Sequence, residues 1–233
     1  MNSEYYSIEL ERDELNRHFG NGIPKNSMIV IEGFDGSGKS ILCQRISYAL
    51  LKKGKKVTYI STELNTLEFI KQTNSINYSM RNFFLNNQLL FLTVMPYLGK
   101  AKFNDNFLKK IMETKKIFEN EIIVIDSLSF LLVKDNSTER ELYDIINFFK
   151  KLNNINKTII FTIDPEHLND KFLTLLRNVS DLYINTKIEE FAGNTIRIID
   201  IKRYKRPLEM YTSKIPFRVE PKEGLVVEIG GYA

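Results

Sequence analysis

The chain has 233 residues, 43% hydrophobic and 27% charged, with a formal net charge of +4. That is enough to bury one sizeable core and too little for two comfortable ones, so one domain spanning 1–233 is expected, with 1–22 as an N-terminal extension. The small charge is spread along the chain, which suggests at most a mild preference for acidic partners and does not by itself argue for a nucleic acid; Cys43, the single cysteine, rules out an internal disulfide and suits a reducing cytoplasm.

The N-terminus, MNSEYYSIELERDEL, carries acids and no apolar centre, so no signal peptide is expected. No uninterrupted apolar run approaches the ~20 residues of a membrane-spanning helix, so any membrane location has to come through a partner. Tyr5 and Tyr6 are aromatic candidates for stacking on a base. The first strand signal is the apolar run Met28 to Glu32. It leads into Gly33-Phe34-Asp35-Gly36-Ser37-Gly38-Lys39-Ser40, the phosphate-binding pattern G-x-x-x-x-G-K-[ST].

The glycines Gly33, Gly36 and Gly38 let backbone N–H groups converge on an anion with no Cβ in the way. Lys39 places a positive charge near the outer phosphates. The Ser40 hydroxyl is a Mg²⁺ ligand candidate, and the helix that starts here turns its positive dipole end towards the phosphates. Leu42, Ile46, Ala49 and Leu50 follow at helical spacing, so strand, loop and helix are all present. Expected nucleotide contacts are therefore Gly33, Asp35, Gly36, Ser37, Gly38, Lys39, Ser40 and Ile41, with a nucleoside triphosphate and Mg²⁺ as the ligands. Cys43, on that helix, reads as core filler.

A second strand, Lys56 to Ser61, runs into Thr62-Glu63, where Ser61 or Thr62 would cap a helix with Glu63 in its first turn. Gln72 to Asn87 is polar and Asn-rich and reads as a surface loop. Leu89 to Val94 is a third strand. Glu121 to Asp126 is a fourth and has the form of a Walker B segment: four apolar residues ending in a carboxylate that can hold Mg²⁺, usually through water. The alternative for Asp126 is a plain cap on the next turn.

Thr158 to Ile163 is the fifth strand. Asp164-Pro165 after it is turn chemistry first, and a position from which a γ-phosphate can be sensed second. Beyond Val179 the pattern becomes Leu182–Thr186, Ile196–Tyr204, Phe217–Glu220 and Leu225–Ile229, expected as antiparallel strands extending the same sheet. The basic run Ile201 to Pro207 reads as a charged sheet edge. Strand–helix alternation before it predicts a mostly parallel α/β sheet with helices on both faces. His18 and His167 have no partners at zinc-like spacing.

From about Ile23 onward the chain resembles the RecA/KaiC-type P-loop ATPases, and within them the archaellum (archaeal flagellum) accessory proteins. The residues that carry this are IEGFDGSGKS, YISTE, VIDSLSFL and the terminal PFRVEPKEGLVVEI. The resemblance implies that Glu63 orients the attacking water, although Leu64 stands where KaiC-like chains commonly have a second acid. Ser127 occupies the place of a second acid in many related hydrolases. Slow or absent hydrolysis is the implied consequence. A Lys-x-Arg that reaches a neighbouring subunit's nucleotide in the KaiC-like family is broken here, where Lys202 and Arg203 are followed by Tyr204.

The resemblance further implies an ATP-binding regulatory subunit at the cytoplasmic, membrane-associated base of the archaellum. It would dock on the hexameric motor ATPase and form a ring or other homo-oligomer. Two rival readings stand beside it. EGFDGSGKS is close to the phosphate loop of thymidylate kinases, but STELNT replaces their Arg-Glu-Pro-Gly segment and Arg140 is the only arginine between Asp126 and Arg177. A RecA-like DNA-binding ATPase would want a basic DNA path, for which the net charge gives little support.

Overall fold

In the computed structural model, residues 4–11, 13–94, 107–191 and 194–228 are described. Two short strands, β1 (Tyr5–Tyr6) and β2 (Ile23–Pro24), pair with each other around α1 (Leu15–His18). The main run is β3 (Met28–Gly33), α2 (Lys39–Lys52), β4 (Val57–Ser61), α3 (Thr66–Ser75), α4 (Arg81–Leu85), β5 (Leu89–Thr93), α5 (Phe107–Glu113), β6 (Ile122–Asp126), α6 (Leu128–Lys134), α7 (Glu139–Asn154), β7 (Thr158–Ile163) and α8 (Asp170–Val179). The chain closes with β8 (Leu182–Phe191), β9 (Asn194–Tyr204), β10 (Lys214–Glu220) and β11 (Gly224–Val227).

These strands make a nine-stranded sheet in the order β11-β10-β9-β8-β3-β7-β6-β4-β5. The strands β3, β4, β6 and β7 read as apolar runs because both faces are covered, and their residues are buried throughout. One core packs α2 and the N-terminal residues Tyr6, Ile8, Leu15 and Phe19 against one face. The other packs α6, α7 and α8 on the opposite face. Among the described residues no helix is long and apolar enough to cross a membrane.

Two expectations need correction. Strand β8 is not purely antiparallel: Leu182 to Thr186 pair in parallel with Ile29 to Gly33, and only its other edge meets β9 antiparallel. Polarity along β8 signals its exposed end and cannot report the direction of its inner neighbour. The stretch Gln72–Asn87 is largely helical rather than a loop. Its asparagines Asn77 and Asn87 have φ of +62° and +53° and follow the ends of α3 and α4, the left-handed position that asparagine tolerates. Ile76, Tyr78 and Met80 between them are buried, and the Tyr78 hydroxyl accepts the Leu225 N–H at 2.8 Å.

Tyr6 is also excluded as a base-stacking residue. It lies in the core and donates its hydroxyl to Glu121 at 3.2 Å, at the start of β6. The phosphate loop lies at the opposite, carboxyl ends of the strands. Tyr5 pairs with Pro24 in the same small ribbon. Ile229 lies outside the described residues.

Candidate functional site

Parallel strands β3, β7, β6 and β4 end side by side, which is where an open α/β sheet presents a crevice. Gly33 ends β3 and α2 begins at Lys39, so the six residues from Gly33 to Gly38 must turn tightly. Gly38 stands before the first helical residue with φ +95°, and its position carries no side-chain cap. The first amides of a 14-residue helix are thus left without a capping side chain. A Cβ on Gly33 would lie 2.2 Å from Thr186 Oγ1, and one on Gly38 would lie 2.8 Å from the Phe217 ring. Both glycines are dictated by close approach.

The loop is braced from outside. Ser37 and Thr186 hydroxyls lie 2.8 Å apart, and Arg197 of β9 donates its Nε–H to the Gly36 carbonyl at 2.9 Å. The Asp35 carboxylate accepts the Gly36 N–H at 2.8 Å, so one loop amide faces a carboxylate of its own chain. Lys39 curls over the loop, with Nζ donating to the carbonyls of Gly33 (2.6 Å) and Phe34 (2.7 Å) and lying 3.5 Å from Asp164 Oδ2. Ile41 sits half-buried at the start of α2.

Asp126 ends β6 beside this loop and is nearly buried. Its Oδ1 accepts hydrogen bonds from Ser40 Oγ (3.1 Å) and Thr162 Oγ1 (2.8 Å), and its Oδ2 accepts one from the Tyr59 hydroxyl (2.8 Å). Three hydroxyl donors hold an otherwise costly buried carboxylate in one orientation. Burial and then the adjacent Asp126 charge push the Tyr59 phenol well above its ordinary range, so it stays protonated and serves as a donor. The Ser40 hydroxyl and one carboxylate oxygen, side by side and otherwise bonded only to hydroxyls, fit the sparse oxygen set with which a hydrated Mg²⁺ beside phosphates is held. Among the described residues no cluster of three His, Cys, Asp or Glu could hold a metal without that help.

Glu63 lies elsewhere than in a helix. Helix α3 starts three residues later, at Thr66, capped by Asn65, whose side chain accepts the Glu68 N–H while Glu68 returns to the Asn65 N–H. Ser61 caps nothing helical; its hydroxyl accepts the Leu64 N–H. Glu63 is left exposed on the connecting turn, and among the described residues its carboxylate has no hydrogen-bond or ion-pair partner. Desolvation on its inner side, then the charges of Asp126 and Asp35, raise its pKa against the opposing pull of Lys39 and His167. A group that feels all four is close to the phosphate loop.

The other singled-out residues have structural partners. Ser127 caps α6, and its hydroxyl meets that of Ser129 at 2.8 Å. Asp164 makes the expected turn, accepting the Glu166 N–H at 3.0 Å, and also faces Lys39. Lys202 pairs with Asp200 at 2.7 Å. Arg203 donates to the carbonyls of Arg177 and Asn178 at the end of α8. Cys43 is fully buried, as filler should be. Residues missed on sequence are Tyr59, Thr162, Thr186 and Arg197. For Tyr59 and Thr162 the available signal was a polar group in the carboxyl-terminal half of an otherwise apolar strand.

A family model described as ATPase: KaiC matches residues 12–230. The archaeal flagellar ATP-binding protein FlaH of Methanocaldococcus jannaschii is 42% identical over 230 residues, 99% of this chain and 98% of that one. The Methanococcus voltae protein of the same name is 40% identical over 99% of this chain and 100% of its own. The crystal structure of flagellar accessory protein FlaH from M. jannaschii superposes with a TM-score of 0.93, covering 97% of this chain and all of that one. The mostly parallel sheet with antiparallel strands at its C-terminal flank is the RecA/KaiC-like fold. The chain therefore belongs to the FlaH family of KaiC-type ATPases.

Proposed function

We infer that this chain is an ATP-binding subunit of the archaellum, working as a nucleotide-dependent switch that docks on the hexameric motor ATPase. The observation that carries the reading is the meeting of Lys39, Ser40 and Asp126 at one point beside uncapped helix amides, in a chain whose relatives are named as archaeal flagellar ATP-binding proteins. Backbone amides from Gly38 to Ser40 would hold the phosphates, Lys39 would neutralise them, and Ser40 with Asp126 would hold the metal. When bound, Mg²⁺ would shield the phosphate charges.

Asp126 is oriented by Tyr59, Thr162 and Ser40, which belong to three other elements, so a change at the carboxylate is felt in β4, β7 and α2. Such a switch acts only through a difference in partner affinity between its two states. Slow or absent turnover follows from Glu63: its carboxylate hangs from an exposed turn, with no hydrogen-bond or ion-pair partner among the described residues to hold it against a water. Assembly into a ring and location at the membrane-associated base of the archaellum belong to the same proposal.

The test is to incubate the purified protein with Mg²⁺ and γ-labelled ATP, with and without thymidine monophosphate. Label that stays on protein-bound ATP supports the switch. Label in thymidine diphosphate would replace it with a kinase.

A further inference from the structure

Asp164 closes β7, the neighbour of the phosphate-loop strand, and its carboxylate is pinned. Oδ1 accepts the Glu166 N–H at 3.0 Å, which leaves Oδ2 aimed at Lys39 Nζ, 3.5 Å away. Its N–H donates to Ser129 Oγ at 2.9 Å, and its carbonyl accepts the His167 N–H at 3.2 Å. Both side chains are close to buried, at 12% and 11% exposed. Swinging the carboxylate away from Lys39 disturbs its bond to the Glu166 N–H, which helps to hold the 164–167 turn. Lys39 has three N–H donors: two go to the Gly33 and Phe34 carbonyls and the third side faces Asp164.

The lysine of this motif normally serves the outermost phosphates. A triphosphate brings its additional negative charge at the free end of the phosphate chain, the end this lysine reaches. Here a fixed carboxylate already shares that cation. Two anions competing for one lysine in a poorly hydrated site repel each other strongly. A diphosphate, shorter by one charged group, meets less of this opposition.

Resting on the reading of the loop as a nucleotide site, we propose that Asp164 is a specificity-determining residue: an internal competitor for Lys39 that biases the site towards nucleoside diphosphate over triphosphate. Triphosphate binding then displaces Asp164 from Lys39 and opens the 164–167 turn, which joins the site to Ser129 on α6.

The experiment compares wild type with Asp164→Asn and Asp164→Ser. Both substitutes remove the charge and keep an oxygen that can cap the turn, and melting curves establish that each is folded. Dissociation constants for fluorescently labelled ATP and ADP are measured with Mg²⁺ present. The expected result is a rise of about tenfold or more in affinity for ATP relative to ADP in both variants. An unchanged ratio would overturn the proposal, because a merely structural Asp164 moves both affinities together. A ratio that falls would also overturn it, since the carboxylate would then be aiding the triphosphate. Wild type that binds neither nucleotide would instead remove the underlying site reading, and this one with it.

Discussion

Tyr59 of β4 donates its hydroxyl to Oδ2 of Asp126, across the strand pair β4–β6, at 2.8 Å. The tyrosine is fully buried, and its ring packs against Phe69 and Phe91, at 5.0 and 6.0 Å between ring centres. The carboxylate of the candidate metal site is therefore aligned from inside the core.

Tyr59→Phe keeps the ring packing and removes one donor to a buried charge. A hydrogen bond to a charged group is worth about 1.5–3 kcal/mol, so denaturant unfolding should show a loss of about 2 kcal/mol. Nucleotide affinity should fall severalfold in the presence of Mg²⁺ and change little without it.

Gly38→Ala combines a backbone angle of +95° with a methyl group placed 2.8 Å from Phe217, a fully buried core ring. The loop must shift, at a cost of about 1–3 kcal/mol for strain of this kind. A depressed melting temperature together with lost nucleotide binding is expected. Arg197→Ala acts at the same rim without the clash. It frees the Gly36 carbonyl and should weaken nucleotide binding several-fold while leaving the melting temperature nearly unchanged, as differential scanning would show.

Arg45, fully buried on α2, forms an ion pair with Asp13 and also donates to the Ile8 carbonyl. Removing one partner strands a buried charge, so Asp13→Ala should cost about 3–5 kcal/mol. A double replacement by apolar residues should cost less than the sum of the single changes, and chemical denaturation of the four chains in the cycle checks this.

Glu63 supplies a pH test. Its folded-state pKa is raised, so the folded chain holds that proton longer than the unfolded one, and the group lowers stability as pH climbs from the ordinary carboxylate range through the raised value. Glu63→Gln removes the effect. Its melting temperature should match wild type at about pH 4 and exceed it at neutral pH, a small gain because the residue is exposed. Phosphate release, where wild type shows any, should drop in this variant if the carboxylate orients water.

The phosphate loop, its flanking strand and helix, and the carboxylate at the end of β6 were legible because each rests on local rules. Glycines are needed where the backbone crowds, and apolar runs where both faces are covered. Gln72–Asn87 was misread because asparagine marks both loops and left-handed helix ends, and the buried Tyr78 that settles the matter depends on a distant contact with Leu225. Arg197 and Thr186 could not be found from local pattern: they reach the loop only because β8 joins β3 in parallel and β9 folds back on it. Arg45 shows the same limit in the core, where a charge within an apolar helix stripe is explained only by Asp13 from the N-terminal segment.

The central claim, that nucleotide at the Gly33–Ser40 loop controls docking on the archaellum motor ATPase, is most directly tested by measuring the affinity of the two purified proteins with and without Mg²⁺·ATP. Wild type should bind the motor ATPase at least about tenfold more tightly with ATP than without, and Lys39→Ala should lose that difference. Equal affinity with and without ATP in wild-type protein that demonstrably binds the nucleotide would contradict the account.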